Sequence, residues 1–451
     1  MYLIGQDAGL PAIDPDEMNG RTRTFLILQG PPSSFFRRLS RKIAAQGGRT
    51  IKINFNASDW LYSLGMNTVN FKRSATVWPG WVREFARAHH VTDLIVYGDC
   101  REYHKVAISM LRPMGVMVHV LEEGYVRPAW ITYERNGVNG HSRLADMSLA
   151  DIDTDKVLAA EADETNNIQG TMWSYVLRGM FYYAAAYWTR PLFPFYRSHR
   201  TQGTVEEAWM WLKRLPLLPK NRLDAKLRGG QIARGNTPYF LVLLQLAGDS
   251  QMREHSGFQS ISEFIELCIR SFSAAARPNE RLVFKSHPLD SNAPYLRNEI
   301  ELLAERYGLI GRCELIDGGK LAYLTDNARG VVSINSTACQ VSIRRGIPTK
   351  VLGRAIYNHR SLAASGSLED FFRTPEAPDI EAYKLFHRFL LLTVQIKGSF
   401  YSQEGIELAL DPLVEKMFAK IDPTDAYVRV RPPAVVEAGA LKEAGALKYG
   451  S

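Results

Sequence analysis

The stretch "TFLILQGPPSSFFRRLSRKIAAQGGRTIKINF", residues 24–55, contains a complete strand–helix–strand unit. Its first run, TFLILQG, is mostly apolar and ends at Gly30, which is typical of a strand buried on both faces. A loop of prolines and serines follows, and an amphipathic helical pattern then ends at a pair of glycines. The run RTIKINF predicts the next strand. Apolar strands that alternate with helices indicate a parallel sheet covered on both faces.

The same alternation of strands and helices occupies two separate parts of the chain. In the first part, strands are predicted at 24–30, 49–55, 93–99 and 116–124. In the second part, which begins at residue 238, the runs PYFLVLL, RLVFK, CELI, GVVSI and PTKVL predict further strands. The predicted fold class is α/β, with two doubly wound Rossmann-type domains that face a cleft. In such sheets, ligands bind at the carboxyl ends of the strands.

The predicted domain boundaries follow from this alternation and from changes in composition. They are an N-terminal extension at 1–23, a first domain at 24–164, a helical connector rich in aromatics and arginines at 165–236, a second domain at 237–375, C-terminal helices at 376–436 and a low-complexity tail at 437–451. We expect the tail to be disordered, because it repeats a short motif without a hydrophobic pattern.

Composition and charge indicate a globular protein with anionic partners. Of the 451 residues, 46% are hydrophobic and 23% charged, and the formal net charge is +8. Such a surplus favours nucleic acid, phosphorylated metabolites or an acidic membrane surface. The four cysteines show neither metal-ligand spacing nor a disulfide pattern, which favours a reducing compartment. No signal peptide and no run of about 18 apolar residues is found. We therefore expect a cytoplasmic protein, at most peripheral to a membrane.

Two motifs that follow strands of the second domain predict a phosphate site. "VFKSHPLDS" leaves its strand through Lys285, His287 and Pro288, where a helix start with free amides would bind an anion. The alternative is a capped loop with a solvated lysine. "INSTACQ" offers side-chain donors beside main-chain amides, which suits phosphate oxygens; they belong to Asn335, Ser336 and Thr337. The alternative there is a simple helix cap. Together the two motifs describe the nucleotide half of a two-domain glycosyltransferase.

A pair of glutamates ends a strand of the first domain. In "VLEEGYVRP", Glu122 and Glu123 point to opposite sides of an extended chain. One carboxylate can then act on the substrate, as nucleophile or base, while the other is held by Arg127 or by main-chain amides. The alternative is that both are ordinary loop glutamates paired with Arg127 or Arg135.

Other strand ends supply further candidates. His104 could serve as an acid or base, although a loop histidine with satisfied hydrogen bonds is the alternative. Residues that could contact the acceptor or the sugar are Gly30, Ser33, Ser34, Arg37, Asn56, Asp99 and Arg101. Arg253 and His255 follow the first strand of the second domain and are expected to face the donor. The aromatic connector could lie on an anionic bilayer, or its helices could simply pack as core.

Five motifs, taken in order, resemble the capsular polysaccharide synthesis family, in particular its KpsS/LipB-type retaining β-Kdo glycosyltransferases. They are "LQGPPSSFFRRLSRKIAAQGGRTIKINFN", "EEGYVRPAWITYERNGVNGHS", "DSQMREHSGF", "FKSHPLDS" and "NSTACQVSIRRGIPTKVLG", and the similarity spans about residues 24–360. The resemblance implies a GT-B-like fold. It also implies transfer of Kdo, with retention, from CMP-β-Kdo to a phosphatidylglycerol-type lipid or a growing Kdo linker.

The resemblance also implies roles for individual residues. Glu123, which directly precedes the glycine of the acidic motif, would be the nucleophile, and related Kdo transferases carry Asp there. His287 with Ser336 and Thr337 would bind the CMP phosphate, and Lys285 would neutralise it. No cofactor and no metal is expected. The implied partners are CMP-Kdo, an anionic glycerophospholipid, the inner face of the inner membrane, a second Kdo transferase and the capsule export machinery.

Three other functions remain as alternatives. A non-catalytic component of capsule assembly or export would need neither the carboxylates nor the nucleotide motifs. Nucleic-acid binding is suggested by charge alone, and no motif or basic stripe supports it. A glycosyltransferase with another CMP-sugar or a UDP-sugar is the third alternative.

Overall fold

The computed structural model describes residues 22–165, 172–197, 218–246, 252, 254–287, 290 and 292–429. The tail at 437–451, Arg253 and Pro288 therefore lie outside the described residues. In the described ranges, no helix is both long and apolar enough to cross a membrane.

The first sheet has a parallel core with the strand order of a Rossmann domain. Its strands are β1 (Thr24–Ile27), β2 (Arg49–Asn54), β3 (Thr68–Asn70), β4 (Asp93–Tyr97), β5 (Met117–Glu123), β6 (Trp130–Arg135) and β12 (Gln395–Lys397). The spatial order is β12-β6-β5-β4-β1-β2-β3, and β6 and β12 are antiparallel to their neighbours. The order reverses between β1 and β4, and this is where Rossmann sheets open a ligand crevice.

Helices cover both faces of this sheet, because successive strand residues point to opposite sides. The helices are α1 (Phe35–Ala45), α2 (Ala57–Tyr62), α3 (Trp78–Ala88) and α4 (Glu102–Leu111). Phe25 and Ile27 of β1 pack on the α1 side, whereas Leu26 packs on the side of α3 and α4. The strands β3, β6 and β12 were not predicted from the sequence. Two of them are only three residues long, too short for a periodic pattern.

Helix α5 (Thr154–Ala159) precedes the connector, whose described helices are α6 (Met172–Trp188) and α7 (Leu218–Arg234). Tyr182 of α6 is buried against the first domain, where its hydroxyl lies 2.7 Å from Asp59 Oδ1. Ala225 and Ile232 of α7 join the core of the second domain. The connector is thus attached to both domains.

The second sheet repeats the Rossmann order. Its parallel strands are β7 (Tyr239–Leu243), β8 (Arg281–Lys285), β9 (Cys313–Ile316), β10 (Gly330–Ser333) and β11 (Thr349–Val351), in the order β11-β10-β7-β8-β9. The order reverses between β7 and β10. The helices that follow these strands are α8 (Ile261–Ala275), α9 (Ala293–Arg306), α10 (Leu321–Thr325), α11 (Cys339–Arg344) and α12 (Leu368–Arg373). Two Rossmann-type domains with carboxyl strand ends in mutual contact confirm the predicted GT-B-like fold.

The end of the described chain returns from the second domain to the first. Helix α13 (Ile380–Thr393) packs in the core of the second domain through Phe386 and Phe389. The chain then adds β12 to the first sheet, and α14 (Gln403–Phe418) packs beside α1 through Leu410 and Leu413. The crossing ties the two domains together.

Candidate functional site

The acidic motif and the INSTACQ motif meet where the two domains touch. Gln340 of α11 donates a hydrogen bond from Nε2 to the main-chain oxygen of Tyr125, at 2.9 Å. Tyr125 directly follows the EEG sequence, and Gln340 lies three residues after Thr337. Two motifs that are more than 200 residues apart in sequence are therefore in contact through this hydrogen bond.

Glu123 lies at the carboxyl end of β5 and is partly buried. The Tyr97 hydroxyl donates to its Oε1 at 3.2 Å. Burial raises the pKa of Glu123, while the positive charge of Arg127 and the bond from Tyr97 oppose the rise. The same Arg127 donates from Nε to the oxygen of Gly124 at 3.2 Å, so its side chain bends over the glycine of the motif. Arg127 thus lies where the sequence interpretation expects a partner for one glutamate.

Glu122 faces the other side of β5, toward the loop that follows β4. Its Oε2 lies 3.0 Å from the position that a Cβ atom on Gly98 would take, so the glycine leaves room for the carboxylate. Burial, with the charges of Glu123 and Asp99, raises the pKa of Glu122 to about 7, and the hydrogen bond from the Glu123 main-chain nitrogen and the Arg101 charge oppose the rise. A carboxyl with this pKa can exchange a proton near neutral pH.

The loop that carries the glutamates is supported by a buried hydrogen-bond network. Tyr125 Oη donates to Glu134 Oε1 at 2.6 Å and accepts from the main-chain nitrogen of Asn139 at 2.6 Å. The Ser142 hydroxyl donates to the other oxygen of Glu134. Burial raises the pKa of Glu134 to about 8. Arg135 donates to the Lys416 oxygen at 3.1 Å, in contrast to the alternative that it pairs with the glutamates.

Basic groups from both domains act on His287, at the predicted phosphate site. Lys285, at the end of β8, donates from Nζ to the oxygen of Gly318 at 2.9 Å. His287 lies two residues later, and burial together with the charges of Lys285 and Arg127 lowers its pKa to about 4. His287 is therefore a neutral imidazole at pH 7. The charge of Arg127 therefore acts on both Glu123 and His287.

The polar residues that follow β10 are all partly buried. Asn335 accepts from Gln245 Nε2 at 2.8 Å, and Gln245 itself follows β7 across the strand-order reversal. Ser336 Oγ accepts from the main-chain nitrogen of Ala338 at 3.3 Å, and its carbonyl accepts from the Tyr357 hydroxyl. Thr337 lies beside them at the start of the helical turn. Ser336 thus makes a cap-like contact at the place where the sequence predicts a phosphate contact.

The candidates of the first domain that follow β1 lie at or near the start of α1. Ser33 is buried and its hydroxyl accepts from the nitrogen of Phe35, and Ser34 directly precedes α1 without a side-chain capping bond. A Cβ on Gly30 would come within 2.5 Å of the Phe36 ring. The close packing of this ring therefore accounts for a glycine at position 30. Arg37 is partly buried on α1.

Asn56 and His104 are both enclosed by protein. Asn56 is the N-cap of α2, where it accepts from the Asp59 nitrogen and donates to Tyr182 Oη at 2.9 Å. His104 is fully buried, and its Nδ1 lies 2.7 Å from the oxygen of Gly98. Burial lowers the pKa of His104 to about 3, so at neutral pH the ring is a neutral imidazole whose Nδ1–H donates to the Gly98 carbonyl, and it is not a protonated acid.

Asp99 and His255 lie at the boundary between the domains, whereas the contacts of Arg101 are within the first domain. Arg101 stacks on the Tyr97 ring, with its guanidinium carbon 4.9 Å from the ring centroid, and donates to Gln29 Oε1 at 3.4 Å. Asp99 and His255 form a cluster with Cys100 and His141, whose ligand atoms all lie within 4.8 Å of one another. This set of side chains could hold a metal ion, although the sequence predicts none.

Sequence reasoning did not identify Tyr97, Gln340, Cys100 or His141. Tyr97 lies two residues before the end of the predicted strand 93–99, so its place near the strand end was a usable signal. Gln340 and Cys100 carry no such signal, because each acquires its contact from the opposite domain. His141 lies near the end of the quoted motif EEGYVRPAWITYERNGVNGHS, but no spacing links it to His255.

Comparisons with known proteins agree with the fold and the sequence motifs. A family model described as "Capsule polysaccharide biosynthesis protein" matches residues 92–401. The chain is 31% identical to the capsule polysaccharide export protein KpsS of Escherichia coli over 389 residues, which cover 84% of this chain and 97% of that protein. It is also 31% identical to the capsule polysaccharide modification protein LipB of Neisseria meningitidis, covering 84% of this chain and 91% of LipB.

Among solved structures, the KpsC beta Kdo 2,7 transferase of Thermosulfurimonas dismutans is 14% identical with a TM-score of 0.42, covering 88% of this chain and 100% of that one. The family assignment does not depend on this structural similarity, because the family model spans most of the chain and the sequence relatives match over nearly their full length. The chain belongs to the capsule polysaccharide biosynthesis protein family.

Proposed function

We propose that the protein is a retaining glycosyltransferase that transfers Kdo from CMP-β-Kdo to a phosphatidylglycerol-type lipid and so starts the poly-Kdo linker of capsular polysaccharide. The observation that carries the proposal is the contact between Gln340 and Tyr125, which joins the acidic motif to the predicted nucleotide motif. The charge of Arg127, which acts on both Glu123 and His287, supports a site formed by both motifs. Membership of the capsule family supports this substrate class.

In the proposed reaction, the Glu123 carboxylate attacks the anomeric carbon of Kdo. The new carbon–oxygen bond forms as the bond to the CMP phosphate breaks, and CMP leaves with the electron pair. The acceptor hydroxyl then attacks the same carbon and releases Glu123, while Glu122 takes the hydroxyl proton. Two successive inversions give net retention. The pKa of about 7 suits Glu122 to the proton transfer, because the ionised and neutral forms are both populated at neutral pH.

The leaving CMP carries one phosphate, and the donor side would stabilise its charge. Lys285 and Arg127 supply positive charge beside His287, which can donate a hydrogen bond as a neutral imidazole. Asn335, Ser336 and Thr337 are the proposed further phosphate or ribose contacts. The proposed chemistry assigns no step to a metal or cofactor.

The aromatic connector supplies a surface suited to a lipid acceptor. Among the described residues of the connector, six large apolar side chains are at least half exposed; they are Phe181, Trp188, Leu192, Phe195, Leu223 and Leu227. Trp188 is the most exposed, at 80%. Exposed aromatics beside arginines are typical of segments that lie at the level of anionic headgroups. We propose that this surface docks on the cytoplasmic face of the inner membrane, where a second Kdo transferase and the export machinery would act on the product.

The test is a transfer assay with CMP-Kdo generated in situ and a fluorescent phosphatidylglycerol mimic. Wild-type protein is expected to add one Kdo, as detected by mass, and to release CMP in equal amount. Glu123→Gln is expected to lose both products, and His287→Ala to lose most of the rate. Glu301→Gln, an exposed glutamate on α9, is the matched control and should keep full activity. Thermal melting of each variant separates lost chemistry from lost folding.

The names of the two relatives, an export protein and a modification protein, favour one alternative, a non-catalytic component of capsule export or modification. That function predicts neither transfer nor CMP release by folded wild-type protein, and no melting shift with CMP. A parallel reaction with CMP-sialic acid or UDP-sugars tests the other alternative, a different donor. Transfer from one of these in place of CMP-Kdo would keep the enzyme class and replace the substrate.

A further inference from the structure

Four potential metal ligands converge at the boundary between the domains. Asp99 and Cys100 follow β4, His141 lies in the turn after β6, and His255 comes from the second domain. Cys100 Sγ lies 3.2 Å from Asp99 Oδ1 and 3.3 Å from His255 Nε2. His141 Nδ1 lies 3.1 Å from Asp99 Oδ2. Ligand atoms of all four residues lie within 4.8 Å of one another.

These separations fit a tetrahedral zinc ion. With Zn–N near 2.0 Å and Zn–S near 2.3 Å, the edges of a tetrahedron of ligands are about 3.3–3.8 Å. The three contacts around Asp99 and Cys100 are close to this range, so small side-chain rotations would complete the geometry. One thiolate, two imidazoles and one carboxylate form a donor set that favours Zn²⁺ over the harder Mg²⁺ and Ca²⁺.

The surroundings of the cluster hold its members in place. The main-chain nitrogen of Val138 donates to Asp99 Oδ2 at 3.1 Å, which orients the carboxylate. The carbonyl of His255 accepts from the nitrogen of Arg354 at 2.8 Å, which anchors that residue in the second domain. A Cβ on Gly140 would lie 2.5 Å from the His255 ring, so only glycine lets the ring approach. The close approach across the boundary is therefore built into the backbone.

Burial and access also suit a metal site. Asp99, Cys100 and His255 are buried, whereas the His141 side chain is 46% exposed and opens the cluster to solvent. An ion could thus enter from the His141 side and be enclosed by the other three ligands. Four protein ligands would leave no open coordination position, as is typical of structural zinc sites.

We propose that Asp99, Cys100, His141 and His255 bind one Zn²⁺ ion that fastens the second domain to the first beside the candidate active site. Three ligands come from the first domain and one from the second, so the ion would link the domains directly. Cys100 would bind as a thiolate, and its proton would pass to solvent on binding. The site is structural and does not depend on the transfer reaction proposed above.

The test measures metal uptake by the full chain after treatment with a chelator. We expect wild-type protein to take up one zinc per chain, measured by elemental analysis after gel filtration, and zinc to raise its melting temperature. Co²⁺ in place of zinc should give the visible bands of tetrahedral coordination and a thiolate charge-transfer band. Cys100→Ser and His255→Ala should each lose stoichiometric uptake, and Cys100→Ser should also lose the charge-transfer band.

Two further variants keep the result interpretable. His141→Ala changes a half-exposed side chain, so it tests ligation without threatening the fold, and its zinc uptake should fall strongly. Cys313→Ser removes a thiol of β9 outside the cluster and should bind zinc as wild type does. The proposal is overturned if wild type takes up no zinc, or if folded His141→Ala and Cys100→Ser take up as much zinc as wild type with the same melting shift.

Discussion

Gln340 donates a hydrogen bond to the main-chain oxygen of Tyr125 across the domain boundary, with 2.9 Å between donor and acceptor. Both residues are buried, at 6% and 2% exposure, so water cannot replace the bond at low cost. The bond sets the position of the acidic loop relative to the helix of the INSTACQ motif. Its removal should therefore affect both stability and the use of the donor.

Gln340→Ala should leave the Tyr125 carbonyl without its partner. A buried polar group that loses its hydrogen bond costs about 1–3 kcal/mol. We expect a lower melting temperature and a higher KM for CMP-Kdo, because the two halves of the site are less well aligned. Gln46→Ala, at the exposed end of α1, is the matched control and should leave both quantities unchanged. Equal melting temperatures and equal KM values for Gln340→Ala and wild type would contradict this role.

The pH dependence of transfer should reveal Glu122. Burial raises its pKa to about 7 from an ordinary value of 4.5. If the ionised form accepts the proton of the acceptor hydroxyl, kcat should rise with pH up to about 7 and level off above it. Glu122→Gln should lower kcat and remove this limb of the profile, whereas Glu301→Gln should retain it. A Glu122→Gln profile with the same limb as wild type would assign the titration to another group.

The same pKa predicts a stability effect with a definite sign. The folded pKa of Glu122 lies above the unfolded one, so the folded state binds more protons between pH 4.5 and about 7. The contribution of this group to stability is fully present below about pH 4.5 and is lost as pH rises through about 7. Glu122→Gln should therefore lower the difference in melting temperature between pH 5 and pH 8. An unchanged difference would argue against burial of the ionised carboxylate.

The connector should depend on one tyrosine hydroxyl. Tyr182 Oη lies 2.7 Å from Asp59 Oδ1, 2.7 Å from Gln29 Nε2 and 2.9 Å from Asn56 Nδ2. Tyr182→Phe removes the hydroxyl and leaves these buried groups without that hydrogen-bond partner. We expect the free energy of unfolding to fall by about 2 kcal/mol.

The control for this change is Tyr187→Phe, whose ring is 44% exposed on the same helix. Its effect should stay within about 0.5 kcal/mol. Thermal melting of both variants gives the comparison. If Tyr182→Phe melts like Tyr187→Phe, the hydroxyl does not hold the connector to the first domain.

The exposed aromatics of the connector should bind anionic vesicles. Insertion of one large aromatic side chain contributes about 2 kcal/mol, so Trp188→Ala should weaken binding to phosphatidylglycerol vesicles by about ten-fold or more. Tyr295→Ala removes an exposed ring from α9 in the second domain and serves as the control. Co-sedimentation at two salt concentrations measures both variants. Equal binding by Trp188→Ala and wild type would exclude this surface as the membrane contact.

Local patterns in the sequence predicted much of the fold. The apolar runs of β1, β2, β4 and β5 alternate with helical patterns, and each is a strand in the structure. The opposite orientation of Glu122 and Glu123 also followed from local geometry, because neighbouring side chains of a strand point to opposite faces. Asn56 shows the limit of such reasoning. Its position after a strand predicted a sugar contact, but the connector helix that buries it lies more than 100 residues away in sequence.

The amino-acid sequence by itself determined the two sets of strands and helices, the strand-end motifs and the family. These features depend on hydrophobic periodicity and on short runs of residues, which are local properties of a chain. Only the tertiary structure decided that Gln340 meets Tyr125 and that His255 joins Asp99, Cys100 and His141. Such contacts arise when separate domains pack, and no spacing along the chain specifies them. The physical reason is that side chains from distant segments become neighbours only through the burial of shared apolar surface.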